Sequence, residues 1–197
     1  MDSRTIYLVR HGDTAANAES AGPELERGWK PYPLDAEGRS EAKRIAEKLS
    51  KFGIRTIRSS DLPRAKQTAD IIGDWLGITP EFDRGLRTWN TGQCAGKTKK
   101  SVEPHIAHMV RYQPDEACSG GESFDSFCNR ARKALIGATK ESDQSYPMAI
   151  IIHARVERLF AATDEFEHRK VNADVFLAKP EQPGHIEKWT VSPGARS

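Results

Sequence analysis

Arg10 and His11 stand where an apolar run, Ile6 to Val9, ends in Arg-His-Gly. The run is aromatic or β-branched in large part and reads as a buried strand, so the cation and the imidazole fall at its carboxyl end. In an open α/β sheet, that edge is where ligands bind. A histidine beside a guanidinium, with Gly12 allowing close approach, suits an anion whose central atom the imidazole can attack. The same stretch also fits an ordinary basic loop after an edge strand.

A second site of this kind lies far along the chain. Met148-Ala149-Ile150-Ile151-Ile152 is the most apolar short run in the sequence, and His153 follows it directly. Arg64 opens a helical pattern after a further short strand, beside backbone N–H groups that a helix start leaves unsatisfied. In a doubly wound sheet these stretches converge at one carboxyl edge. Two imidazoles and two guanidiniums there make a pocket for a doubly charged tetrahedral anion, with phosphate the obvious candidate. An unprotonated imidazole can then attack phosphorus in line and form a phosphohistidine, which water hydrolyses in a second step. The competing reading makes His153 a core or helix-start histidine and Arg64 a surface residue.

The elements that must position these groups follow in order. Residues 15–34 hold Gly22, Pro23, Gly28, Pro31 and Pro33 and read as a long loop bordering the site. Asp35 is placed to cap a helix whose inner stripe is Ala42, Ile45, Ala46 and Leu49, and Gly53 stops it. Arg55 to Ser60 reads as a strand. Pro63 suits the first turn of the next helix, with Ala65, Ala69, Ile72 and Leu76 inward. Ile78 to Phe82 is an edge strand interrupted by Pro80. Residues 83–119 form a second long segment, irregular and then mostly polar. His105 and His108 lie three apart there, a spacing that permits a metal pair but supplies no third ligand. Ser123 caps a helix with Phe124, Phe127, Cys128, Ala131 and Leu135 inward. A helix through Val156, Leu159 and Phe160 follows His153. Val171 to Leu177 and His185 to Val191 read as two final strands around Pro183-Gly184.

The 197 residues suit one domain spanning 1–197. A hydrophobic content of 37% with 29% charged residues fits a soluble globular chain. The formal net charge of +2 gives no ground for a nucleic-acid partner. No apolar run is long enough to cross a membrane, and no secretory signal precedes the first strand, so a cytoplasmic location is expected. Cys94, Cys118 and Cys128 are odd in number and lack metal-ligand spacing, and they read as free thiols. The basic residues Arg27, Lys30, Lys97, Lys99, Lys100 and Arg155 offer steering for an anion. Trp29, Trp89 and Tyr112 fit either a substrate entrance or core packing.

The sequence resembles the histidine phosphatase superfamily, also called the phosphoglycerate mutase-like family, over roughly residues 5–190. Leu8 to Thr14 resembles the family's Arg-His-Gly nucleophile motif, and Pro33 to Gly38 resembles the segment leading into its first helix. Ser59 to Ala69 is similar to its Ser-Asp-Leu-x-Arg-Ala-x-Gln-Thr-Ala stretch. Gly120-Gly121-Glu122-Ser123 matches the turn before a long helix, and Ile151 to Ala154 stands where the second histidine falls. The resemblance implies a three-layer α/β sandwich with a mostly parallel central sheet and helices on both faces. It implies His11 as nucleophile, with Arg10, Arg64 and His153 completing the phosphate pocket and Asn17 helping to hold phosphate. It implies no metal and no cofactor. The substrate would be a phosphorylated small molecule or a phosphoprotein.

The sequence departs from the family pattern at the proton donor. Matching Leu86-Arg87-Thr88 to the family's Leu-x-Glu places Thr88 where a glutamate is usual, and threonine cannot supply a proton as a carboxylic acid does. Cys94-Ala95-Gly96 replaces Trp-Glu-Gly, and Ala154 replaces the glycine after the second histidine. Three explanations stand. Another carboxyl serves, from Glu122, Asp13, Glu81 or Asp83. Alternatively, the substrate carries an easily departing group, as in a phosphoramidate, an anhydride or an aryl phosphate. Finally, turnover is vestigial, and the chain is a weakly active or inactive phospholigand-binding or interaction protein. The expectation is a metal-independent phosphatase acting through a phosphohistidine.

Overall fold

A computed structural model describes residues 4–17, 22–140, 145–161, 173–177 and 186–191. Its centre is a five-stranded sheet of order β3-β2-β4-β1-β5, formed by β1 (Arg4–Arg10), β2 (Thr56–Ser59), β3 (Glu81–Phe82), β4 (Met148–Ile152) and β5 (Ile186–Val191). β1, β2, β3 and β4 run parallel and β5 is antiparallel along the β1 edge. The class is the α/β class expected from the sequence.

Pleating explains the layers. Successive side chains of a strand point to opposite faces. Ile6 and Leu8 of β1 therefore join Met148, Ile150 and Ile152 of β4 in one core. Tyr7 and Val9 join Ile57, Ala149 and Ile151 in the other. All five residues of β4 are buried, because β4 lies between β1 and β2 and is covered on both faces. The helices α1 (Ala36–Leu49) and α2 (Pro63–Leu76) cover the Tyr7 face. The opposite face is covered by α3 (Lys99–Tyr112), α4 (Phe124–Thr139), α5 (Ala154–Ala161) and α6 (Ala173–Leu177).

The helix starts follow local chemistry. Asp35 accepts from Gly38 N at 2.8 Å and caps α1. Ser123 accepts from Ser126 N at 3.1 Å and caps α4. Pro63 takes the first turn of α2, where no N–H is needed. Gly53 and Gly77 close the first two helical segments in the left-handed region, at φ 63° and 70°.

Two elements differ from the sequence expectation. The polar segment after Lys97 contains α3, a full helix despite Pro104 in its interior. An interior proline costs roughly 3 kcal/mol. Four buried apolar residues on α3, Val102, Ile106, Met109 and Val110, contribute roughly 1.5–3 kcal/mol each and outweigh it. Residues 173–177, expected in a strand, form α6, which packs Phe176 into the α4–α5 core. The expected turn at Pro183-Gly184 lies outside the described residues. Among the described residues, no helix is long and apolar enough to cross a membrane.

Candidate active site

Strand register brings the two histidines together. β1 and β4 are parallel neighbours with Arg10 opposite Ile152, and His11 N donates to Ile152 O at 3.1 Å. The next residue of each strand leaves the same sheet edge, so the His11 and His153 rings lie with centroids 5.0 Å apart at 60°. Both are buried, at 2% exposure. His11 Nδ1 lies 2.7 Å from Gly12 O. A carbonyl only accepts, so Nδ1 carries the proton and Nε2 keeps its lone pair. Neither ring nitrogen of His153 has a hydrogen-bond partner among the described residues.

Arg64, the second residue of α2, is fully buried. Its two terminal nitrogens donate to Lys30 O at 3.2 Å and Gly28 O at 3.0 Å, while Nε has no partner among the described residues. Arg10 is buried next to His11 but is not among the residues lining the pocket, whereas Arg27 lines it with His11, Arg64 and His153. The sequence reading gave Arg27 only a steering role. Its Nη1 is buried and also lacks a hydrogen-bond partner among the described residues, while its Nη2 lies 3.9 Å from Glu24 Oε1.

Neighbouring backbone holds the loop after β1 in place. A side chain at Gly12 would collide with Gly38, and one at Gly38 would collide with Asp13, so α1 can seat against this loop only with glycine at both positions. Thr68 Oγ1 accepts from Gly12 N at 3.2 Å, and Gln67 Oε1 accepts from Leu34 N at 2.8 Å. The Arg64-to-Ala69 stretch thus supplies one pocket cation and two clamps on the loops around it.

Electrostatics set the protonation states. Burial, then Arg64, pushes both His11 and His153 well below the usual 6.5 for an imidazole. Burial, then Arg27, pushes Arg64 down to about 9. Burial likewise lowers Arg10 and Arg27. At neutral pH the histidines are neutral and the guanidiniums remain charged. The result is an unprotonated imidazole among buried cations, a setting that favours a dianion.

The far wall of the pocket is built differently. Thr88 lines it and is buried. Its carbonyl accepts from Trp29 Nε1 at 2.7 Å and from Arg130 at 3.2 Å. Glu26, which the sequence reading missed, is a buried carboxylate gripped by Arg155 through two contacts of 2.7 Å. Burial alone would push its pKa up, but Arg155 outweighs this and holds it below 4.5. Glu24 is paired with Lys99 at 2.9 Å. Arg155 and Arg158 also line the pocket, one turn apart on α5. That spacing beside His153 was legible in the sequence. The Glu26–Arg155 pair, 129 residues apart, was not.

None of the four carboxyls considered as proton donors lines this pocket. Glu122 pairs with Arg130 at 2.5 Å and accepts from Asn90 N at 2.9 Å, bracing the turn before α4. Asp83 caps a 3-10 turn by accepting from Gly85 N at 2.6 Å. Glu81 lies on edge strand β3 and pairs with Arg58 at 3.3 Å. Asp13 lies toward α1, where burial and then Asp35 raise its pKa. Asn17 is also outside the pocket lining, and its Oδ1 accepts from Thr14 Oγ1 at 2.8 Å. Trp89 is core, Trp29 braces Thr88, and Tyr112 is exposed on α3.

The family model described as histidine phosphatase superfamily (branch 1) matches residues 6–167. A probable phosphoglycerate mutase, GpmB, of Salmonella paratyphi B is 33% identical over 149 residues, which cover 74% of this chain and 67% of that protein. A mycobacterial glucosyl-3-phosphoglycerate phosphatase, in complex with inorganic phosphate, superposes with TM-score 0.73 at 24% identity, covering 94% of this chain and 88% of its own. The alpha-ribazole phosphatase of Shigella flexneri superposes with TM-score 0.73 at 21% identity, covering 93% and 89%. At these identities the two structural likenesses establish the fold.

Proposed function

The chain belongs to the histidine phosphatase superfamily, and from that premise we propose that it is a metal-independent phosphatase working through a phosphohistidine at His11. The observation that carries this reading is the buried, neutral His11, whose Nδ1 is bound to Gly12 O and whose Nε2 is left as a nucleophile. Nε2 attacks phosphorus, and the bond from phosphorus to the leaving group breaks with its electron pair going to that group. Water then attacks the phosphohistidine, the P–N bond breaks, and inorganic phosphate leaves. Arg64 and His153, which line the pocket, and Arg10, buried beside His11, stabilise charge on the equatorial oxygens, with Arg27 as a further cation in the lining.

The leaving-group side favours particular substrates. Thr88 takes the place of the family's glutamate donor in this reading, and both carboxylates lining the wall are tied up in ion pairs. Without a strong general acid, the substrate is a phosphorylated molecule with a weakly basic leaving group: an aryl phosphate, a phosphoramidate or an anhydride. Rapid quench with labelled substrate, without acid because phosphohistidine is acid-labile, tests the intermediate. Label on wild type and none on His11→Ala is expected; turnover without any label would overturn the mechanism.

The paired carboxylates also favour a second reading, a phospholigand-binding protein with little turnover. Calorimetry with phosphorylated ligands separates the two, since tight selective binding without product supports the binding role.

A further inference from the structure

We propose that Cys94, Cys118 and His105 form a binding site for a single zinc ion, outside the catalytic pocket. Cys94 Sγ lies 3.1 Å from Cys118 Sγ, and Cys118 Sγ lies 3.3 Å from His105 Nε2. All three donor atoms fall within 4.8 Å of one another. They arrive from three separate segments: the 3-10 turn Gly92–Cys94, helix α3, and the loop before α4. That convergence hides the site from sequence spacing. His105 is joined by two cysteines rather than by His108, whose ring instead packs on Tyr112 at 5.2 Å. Cys128 is the contrast, a thiol buried among the apolar residues of α4 with no such partners.

The donor set selects the ion. Two sulfurs and an imidazole suit zinc and other borderline or soft metals, and the cluster offers no carboxylate to a hard cation. Zinc sits about 2.3 Å from a thiolate and about 2.0–2.1 Å from an imidazole nitrogen, so two thiolates in a tetrahedral shell stand about 3.8 Å apart. Cys94 and Cys118 therefore need to open by well under 1 Å, and the exposed His105 can follow. Water takes the fourth position. Met109 Sδ, 3.6 Å from Cys118 Sγ, offers an alternative for a softer ion.

The location gives the ion a structural role. Gln93 N donates to Ser119 O at 3.0 Å and Glu122 N to Asn90 O at 3.0 Å, so the two cysteine-bearing loops are already laced together. Thr91 Oγ1 donates to Glu26 Oε1 at 3.2 Å, and Gly96 N donates to Glu26 O. An ion bridging Cys94 and Cys118 braces the same wall that carries Thr88 and holds Glu26. None of the three ligands lines the catalytic pocket, so the site adds no metal to the proposed phosphoryl chemistry.

The test uses full-length protein prepared under a non-thiol reductant, titrated with Zn2+ against a chromophoric chelator and separately with Co2+. One equivalent of metal per chain is expected, and Co2+ should give thiolate charge-transfer absorption with tetrahedral d–d bands. Cys118→Ser should at least halve that absorption and weaken Zn2+ binding by about a hundredfold or more, exceeding the ten- to hundredfold typical of a lost outer-shell partner. His105→Ala should weaken binding at least about tenfold, and His108→Ala should leave it unchanged. Cys118 and His105 are not core residues, so these variants remain interpretable if Cys94→Ser fails to fold. Zn2+ should also raise the unfolding temperature of wild type and not of Cys118→Ser. Failure to bind one equivalent, a cobalt spectrum without thiolate bands, a spectrum unchanged by Cys118→Ser, or a Cys94–Cys118 disulfide in place of metal binding would each overturn the proposal.

Discussion

The sheet-edge end of the pocket and its far wall hold charge in opposite ways. At the sheet edge, His153 and Arg64 are buried with nitrogen atoms that no group among the described residues satisfies, and Arg27 adds another. At the far wall, Glu26 is closed against Arg155, Glu24 is paired with Lys99, and Thr88 presents a side chain that does not ionise. Buried donors without partners are costly unless a ligand takes them up, whereas paired charges need nothing further. The first end is built for an anion from outside, whereas the carboxylates of the second already have their cations. On the proposed function, the contrast puts the chain's catalytic capacity in holding and attacking phosphorus rather than in protonating what leaves.

Breaking the anion end should have the largest effect. His11→Ala removes the nucleophile, and phosphate release from an aryl monoester should fall at least about 10⁴-fold in initial-rate assays. Breaking the far wall should register first as stability. Glu26→Gln leaves the Arg155 guanidinium without its carboxylate, and urea unfolding should show a loss of about 3 kcal/mol. Thr88→Glu should raise kcat/KM for alkyl phosphates about a hundredfold, the scale of a general acid, with little gain for aryl phosphates. An unchanged alkyl-to-aryl ratio would remove Thr88 from the donor position.

The smallest effect is a slope. His11 and His153 have folded pKa values well below 6.5, so below pH 6.5 the unfolded chain takes up protons that the folded chain does not. Stability is therefore full above 6.5 and falls as the pH drops. Each histidine contributes about 1.4 kcal/mol per pH unit. Urea titrations between about pH 6.5 and 5, above the main carboxylate range, should show this slope reduced in a folded His153→Gln variant.

What the sequence disclosed about this contrast was uneven. Apolar runs ending in His11 and His153 were legible because a strand's burial and its sheet edge are local properties. Asp35, Ser123 and Pro63 were legible as helix starts for the same reason. The far wall was not. Glu26 and Arg155 meet across 129 residues, and Cys94 and Cys118 across 24, so neither pair leaves a periodic trace. Helix α3 was hidden by Pro104 and by its polar exposed face, although Val102, Ile106, Met109 and Val110 kept helical spacing. The five residues of α6 are too few for periodicity, and β-branched Val175 pointed to a strand. Thr88 was found at the pocket only through resemblance, since a threonine in an irregular loop carries no signal of its own.

If His11 attacks without strong acid assistance, kcat/KM must depend on how readily the leaving group departs. Alkyl monoesters, aryl monoesters, phosphohistidine and pyrophosphate would be assayed with wild type and His11→Ala. A steep rise in kcat/KM as the leaving group becomes less basic, abolished in His11→Ala, is the predicted result. A kcat/KM indifferent to leaving-group basicity, or release that survives the loss of His11, would contradict it.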